Sequence, residues 1–280
     1  MEVGIGLPNT LKGTDRELLM KWARRAEEGP FGSLAVLDRL AYDSFDPMLT
    51  LAVAAGATSH IRLAATIVSA PLRNEALLAK EAATLDVLSG GRLTLGVALG
   101  ARREDYEVAG VEYGGRGRRF TEQLAALRDY WEDETMGPHP VQSGGPELLI
   151  GGLADQAYAR VARYADGYVH GGGPPRAFAR VAEKARAAWV EAGRPGEPKL
   201  WAQGYFALGE EEAEAGREYL LDYYSFVGPF AERIAAGLLT TPQAIVQFVR
   251  GYAELGCDHL VLFPTTSNIE QLDRLADIIR

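Results

Sequence analysis

The sequence predicts an α/β fold, a (β/α)8 TIM barrel with insertions after strands 4 and 7. Three observations carry that expectation. Short apolar runs alternate with helical patterns eight times along 280 residues, an ordinary length for one such barrel. The stretch TLDVLSGGRLTLGVALG (84–100) ends a helix at a glycine pair and continues into a strand that is apolar on both faces. Such a strand must be covered on both sides, the condition of a parallel sheet. The first strand is followed by Pro8, Asn9 and Thr10, whereas an open doubly wound sheet, the structural rival, would place its glycine fingerprint there. One domain is expected over residues 1–280.

The elements follow in order. VGIGL (3–7) is the first strand, and Thr14 or Asp15 can cap the next helix, whose apolar face is Leu18, Leu19, Trp22, Ala23 and Ala26. SLAVL (33–37) is the second strand, and Asp46 caps a helix that has Pro47 at its favoured first position. IRLAATIV (61–68) is the third strand, with a helix over 75–88 that Gly90 or Gly91 ends in the left-handed conformation. RLTLGVAL (92–99) is the fourth strand, followed by a loop over 101–119 and a helix over 120–131. The fifth strand lies in ELLIGG with a helix over 154–164, and the sixth in DGYVHGGG with a helix over 176–192. The seventh lies in KLWAQGYFAL, then come a helical insertion over 210–239 and a helix starting near Thr241 and Pro242. Residues 260–263 form the eighth strand and 269–279 the closing helix. The two long inserts belong near the strand ends, where long insertions are usually functional.

Composition narrows the partners. Lys plus Arg is 29 and Asp plus Glu 38, a net charge of −9. Nucleic acid is therefore not expected as a partner, since it needs a basic footprint. With Cys257 as the one cysteine, no intramolecular disulfide can form. No apolar run approaches the ~20 residues that span a bilayer, and MEVGIGLPNT does not read as a signal peptide. A cytoplasmic protein without membrane association is expected. No histidine–carboxylate cluster has metal-ligand spacing, so no metal site is expected. Neither G-x-S-x-G nor a Cys–His pairing suggests a covalent nucleophile.

Polar and glycine residues gather where the strands end, the face on which barrel sites are built. They are Asp38 and Arg39 after the second strand, Ser69 after the third, and Gly100, Arg102 and Arg103 after the fourth. Gly151 and Gly152 follow the fifth, and His170 with Gly171, Gly172 and Gly173 the sixth. The glycines read as tight turns or as a cradle whose backbone N–H groups face a phosphate. Asp38 and Arg39 read as a surface ion pair or as pocket residues, and His170 as structural or catalytic. Arg116 and Arg119, within GRGRR (115–119), read as a solvated helix start or, with Arg102 and Arg103, as an anion clamp. Tyr219, Tyr223, Tyr224, Phe226 and Phe230 pack the insertion or wall an apolar substrate pocket. The second and third helices carry many small apolar residues, as in LTLAVAAGA and ALLAKEAATL. The excess reads as a homodimer buried against them, the first expectation, or as a close contact between helix and barrel.

IRLAATIVSAPLRNEALLAKEAATLDVLSGGRLTLGVALG, then GVEYGGRGRRFTEQLAALRDYW, then LLIGG and ARYADGYVHGG resemble the bacterial luciferase-like flavin-dependent oxidoreductases. The likeness runs from the first strand to the last helix. It implies an α/β barrel and an enzyme that works with reduced FMN or, in one branch, the deazaflavin coenzyme F-420. A monooxygenase acting with dioxygen on a small organic substrate is the first reading, and a separate reductase would supply the reduced flavin. A deazaflavin-dependent hydride-transfer enzyme and a non-catalytic flavin-binding protein are the alternatives. FMN is favoured because the chain lacks the G-P-G-D type turn after the fourth strand.

The resemblance implies that the flavin ring rests over the ends of the third and fourth strands. Leu7, Ala65, Thr66, Ile67, Ala98 and Gly100 would be its contacts, with a cis peptide between Thr66 and Ile67. The phosphate would lie by Gly151, Gly152, Gly171 and Gly172. Leu99 stands where the luciferase has an arginine, so that contact would come from Arg102, Arg103, Arg116 or Arg119. Asp38 and His170 are the candidate catalytic residues, although Arg39 replaces the histidine that often follows the aspartate.

Overall fold

Every one of the eight apolar runs becomes a strand in the computed structural model, which describes residues 1–280. The strands are β1 (Glu2–Gly6), β2 (Ser33–Val36), β3 (Arg62–Ser69), β4 (Leu93–Ala98), β5 (Glu147–Gly151), β6 (Gly167–His170), β7 (Lys199–Phe206) and β8 (His259–Pro264). Each pairs in parallel with its sequence neighbours, and β8 closes on β1. The closed barrel excludes the open doubly wound sheet. Around it run α1 (Arg16–Glu27), α2 (Pro47–Ala57), α3 (Glu75–Ser89), α4 (Arg103–Val108), α5 (Arg116–Glu132), α6 (Asp155–Tyr164), α7 (Pro175–Glu191), α8 (Glu210–Tyr223), α9 (Phe230–Ala235), α10 (Pro242–Glu254) and α11 (Glu270–Ile279).

Local chemistry sets the boundaries. Asp15 accepts the Leu18 N–H and Asp46 the Leu49 N–H, so both serve as N-caps. Gly90, at φ 71°, ends α3 in the left-handed conformation. The 101–119 segment differs from the expected loop. It contains α4, and α5 begins at Arg116, four residues earlier than predicted. The basic run is a helix start, one of its two expected readings: Gly115 at φ 69° turns the chain into the helix, and Arg118 pairs with Glu122 one turn on.

Alternation along the strands divides the apolar residues into two cores. A cluster of 54 buried residues fills the shell between barrel and helices, and a second cluster of 12 occupies the lumen and its upper cap. In β4, Leu93, Leu95 and Val97 belong to the shell, which leaves Thr94, Gly96 and Ala98 to the lumen. The lower end of the lumen is polar. Arg62 Nη1 donates to Glu147 Oε2 at 3.1 Å and to Thr94 Oγ1 at 3.0 Å. His259 stacks on Trp201 at 4.0 Å, bonds Ser33 Oγ through Nε2 at 2.7 Å, and faces Glu2 Oε2 through Nδ1 at 3.1 Å. This plug leaves the C-terminal mouth as the end where a ligand can enter.

Candidate active site

The floor of the mouth is built from small residues. β3 shifts register against β4 between Ala65 and Val68, and its Thr66–Ile67 peptide is cis, at the predicted bond. Along β3 only Arg62 and Ile67 escape full burial. Ile67 turns toward β4 and β5: a Cβ placed on Gly151 would lie 3.5 Å from both Ile67 Cγ2 and Ala98 Cβ. Gly96 takes the same inward face, and a Cβ there would sit 2.4 Å from the Ala65 carbonyl oxygen. The Ala65 carbonyl and Ile67 therefore already fill the space over Gly96, and Ile67 and Ala98 that beside Gly151, so Ile67, Ala98 and Gly151 form a wall of the mouth at the ends of β3, β4 and β5. Two buried polar atoms near this level lack partners, Thr66 Oγ1 and Gln203 Oε1. The Gln203 amide reaches the Gly171 carbonyl only loosely, at 3.4 Å. Buried polar atoms are normally satisfied, so a ligand with donors along one edge suits them.

The loops after β5 and β6 supply free backbone donors. Side chains cap α1, α2, α3 and α10, through Asp15, Asp46, Asn74 and Thr241. No side chain caps α6 or α7, the two helices that follow Gly151–Gly152 and Gly171–Gly173. At α6 the Asp155 and Gln156 N–H groups remain available, and the helix dipole adds to the attraction for an anion; at α7 the Pro174–Pro175 start leaves only the Arg176 N–H, since Ala177 N–H bonds the Pro174 carbonyl. His170 ends β6 beside this loop, 4% exposed, its ring 6.0 Å from that of Phe178. Neither ring nitrogen has a partner. Burial pushes its pKa down to about 4, which keeps the imidazole neutral near pH 7.

The opposite wall is ionic and aromatic. Asp38 and Arg39 are both buried, and they do not pair with each other as a surface ion pair would. Asp38 accepts two bonds from Arg73, at 2.7 and 3.2 Å, and one from the Ser69 N–H at 2.8 Å. Arg39 donates to the Tyr223 carbonyl at 2.6 Å and to Glu104 at 3.0 Å. α8 lies over the mouth, tied by Tyr219 to Thr10 at 2.7 Å and by Asp222 to Tyr42 at 2.6 Å. Tyr205 from β7 meets Tyr224 hydroxyl to hydroxyl at 2.6 Å. The aromatic residues of the insertion thus pack one another and also roof the mouth.

The predicted site residues fall into distinct places. Thr66, Ile67, Ala98, Gly151, Gly171 and Gly172 border the mouth and the glycine loops. Leu7 and Ala65 turn their side chains into the outer shell. Gly100, at φ 72°, makes a turn in which a Cβ would come 2.9 Å from Ser69 Oγ; that contact already accounts for the glycine. The four candidate arginines separate into two groups. Arg103 and Arg116 stack on Tyr113 at 4.3 and 3.6 Å, and Arg119 donates to the Gly114 carbonyl at 3.1 Å. None of these three pairs with a carboxylate. Arg102 instead points beneath α8, against Tyr223 and Phe226. Gln203 and Arg73 were not singled out from the sequence. Gln203 offered a signal, being the one side-chain amide in an otherwise apolar strand; Arg73 offered none, since only folding brings it to Asp38.

Comparison with known proteins agrees with this architecture. The family model described as luciferase-like monooxygenase matches residues 1–256. A protein of Mycobacterium bovis without assigned function is 33% identical over 217 residues, 65% of this chain and 74% of that one. The crystal structure of the monooxygenase RslO1 from Streptomyces bottropensis superposes with a TM-score of 0.83 at 21% identity, covering 99% of this chain and 97% of the other. An F-420-dependent secondary alcohol dehydrogenase, in complex with an F-420–acetone adduct, superposes at 0.80 with 17% identity, covering 100% and 98%. At such identities the two structures attest the fold.

Proposed function

Because the chain belongs to the luciferase-like monooxygenase family, whose members are flavin- or deazaflavin-dependent oxidoreductases, we propose that it is a monooxygenase that uses reduced FMN and dioxygen on a small organic substrate at the C-terminal mouth of the barrel. The observation that carries this reading is a mouth walled on one side by Ile67, Ala98 and Gly151 and holding two unpartnered buried atoms on facing strands, the Thr66 hydroxyl of β3 and the Gln203 carbonyl of β7. A planar ring held against Ile67 and Ala98 would offer polar groups to those two atoms. The reduced flavin supplies the electrons that activate dioxygen. The chain's own residues position it: the glycine turns at 151–152 and 171–173 and the uncapped start of α6 receive the phosphate, with Arg103, Arg116 and Arg119 adding charge. His170, in register with the shell residue Ala202 and packed against Phe178 of α7, stands behind the 171–173 turn and supports it from the outer side of β6. Asp38, through Arg73 and the Ser69 N–H, positions the segment after β3. α8 roofs the mouth and keeps water from it.

In this reading the protein is the oxygenase half of a two-component cytoplasmic system and receives reduced flavin from a separate reductase. Cys257 is free and buried, and no helix is long and apolar enough to cross a membrane. Leu49 and Val53 on α2 and Leu77 and Leu88 on α3 are exposed, which supports a homodimer formed through these helices. The test is titration with FMN, riboflavin and F-420, each oxidised and reduced, followed by fluorescence. Reduced FMN should bind best, and riboflavin at least tenfold more weakly for want of the phosphate. Tighter binding of F-420 would move the protein to hydride transfer, and no binding of any of the three would overturn the reading.

A further inference from the structure

Arg102 is a buried cation whose carboxylate-gripping edge is empty. It is 9% exposed, and its guanidinium lies 4.8 Å from the Tyr223 ring centre and 4.7 Å from that of Phe226. Its only hydrogen bond within the chain is a long one, from Nη1 to the Asp38 carbonyl at 3.4 Å. Asp105 Oδ2 stands 3.7 Å from the same Nη1, too far for a hydrogen bond, and itself has no partner. The other carboxylate oxygen of Asp105 accepts the Ala41 N–H at 2.8 Å, which holds that group on the Nη1 side. Nε is buried without any acceptor. Burying a charged donor without partners is costly; the neighbouring Arg39 offsets that cost with strong bonds from Nη1 to the Tyr223 carbonyl and from Nη2 to Glu104, although its Nε too is unpartnered, whereas Arg102 has no comparable bond at either end nitrogen.

The parallel N–H bonds of the Nε–Nη2 edge match the two oxygens of a carboxylate. The walls beside them are rings. Tyr223 and Tyr224 meet edge to face at 5.1 Å, and Tyr205 approaches both Tyr224 and Phe263. A flat apolar body with one planar anion fits such a setting better than a neutral chain or a cation. We propose that Arg102 recognises the substrate and that the substrate is an aromatic carboxylate. This rests on the reading of the mouth as a flavin site. It also divides the arginines after β4 by task, with Arg102 serving the substrate and the Tyr113 group the cofactor.

The experiment compares benzoate with benzamide, its neutral isostere, by calorimetry on the FMN-loaded protein. Benzoate should bind at least tenfold more tightly. Arg102→Gln should erase that preference, and Arg102→Lys, which keeps the charge but loses the fork, should retain only part of it. A thermal melt establishes that each variant is folded, and the parent and Arg102→Lys decide the matter if Arg102→Gln is not. Equal binding of the two probes, binding of neither, or a full preference surviving either substitution would overturn the proposal. So would loss of FMN affinity in a folded Arg102→Gln, because that would return Arg102 to the cofactor. Failure of the flavin reading is a separate result, absence of FMN binding by the parent, and the same two probes on the cofactor-free protein then still decide the role of Arg102.

Discussion

His170 and His259 are both buried, and burial pushes their pKa values down to about 4 and about 3. An exposed imidazole titrates near 6.5. Between 6.5 and those folded values the unfolded chain holds more protons, so stability falls as the solution is acidified through that window and is insensitive to these groups above it. Each histidine can contribute a loss on the order of 3 kcal/mol by the bottom of its range. Urea unfolding should therefore show a free energy that declines from pH 6.5 toward 4. His170→Phe, which keeps a ring against Phe178, should flatten part of that decline. A slope unchanged in this variant would mean that His170 is not the group responsible. The same residue scale shows what a sequence conceals. Asp38 was legible as a residue of the mouth because it directly follows an apolar strand. Its partner Arg73 was not, because 35 positions separate them and only the return of β3 to the barrel rim makes them neighbours.

At the scale of elements, the SGGR turn has a purpose beyond ending α3. Arg92 Nε donates to the Ser89 carbonyl at 2.6 Å, Nη1 to Thr58 Oγ1 at 3.0 Å and to the Ile61 carbonyl at 2.8 Å, and Nη2 to the Ala55 and Thr58 carbonyls at 3.3 and 3.1 Å. One side chain thus satisfies the orphaned end of α2, the entry to β3 and the last turn of α3. Arg92→Ala should cost roughly 2–4 kcal/mol, since several partly buried carbonyls lose their donor together, and the urea midpoint should fall accordingly. A shift below about 0.5 kcal/mol, the size of an ordinary surface substitution, would refute this role. Elements were largely legible because their signals are local: Asp15, Asp46 and Pro47 mark helix starts, and apolar runs mark covered strands. The segment after β4 was read less well. Its basic run is compatible with loop or helix, and the choice depends on Tyr113 and Glu122 as neighbours rather than on propensity alone.

For the whole molecule, the outer faces of α2 and α3 and the closed lower end of the barrel matter most. Leu77 and Leu88 stand 62% and 69% exposed on one helix beside Leu49 at 71% on the next. If these faces meet a second copy, Leu77→Glu should convert a dimer to a monomer in light scattering at micromolar concentration. A parent that already runs as a monomer would dispose of the interface. The lower end has a kinetic consequence. With Arg62, Glu147, Thr94 and His259 stoppering the barrel, the mouth is both entrance and exit. A ring held against Ile67 and Ala98 at the strand ends would lie deeper than anything held by Arg102 beneath α8. The coenzyme would then have to board before the acid and could depart only after the product, so turnover would follow a compulsory order, with excess acid trapping whichever form of the coenzyme is already aboard.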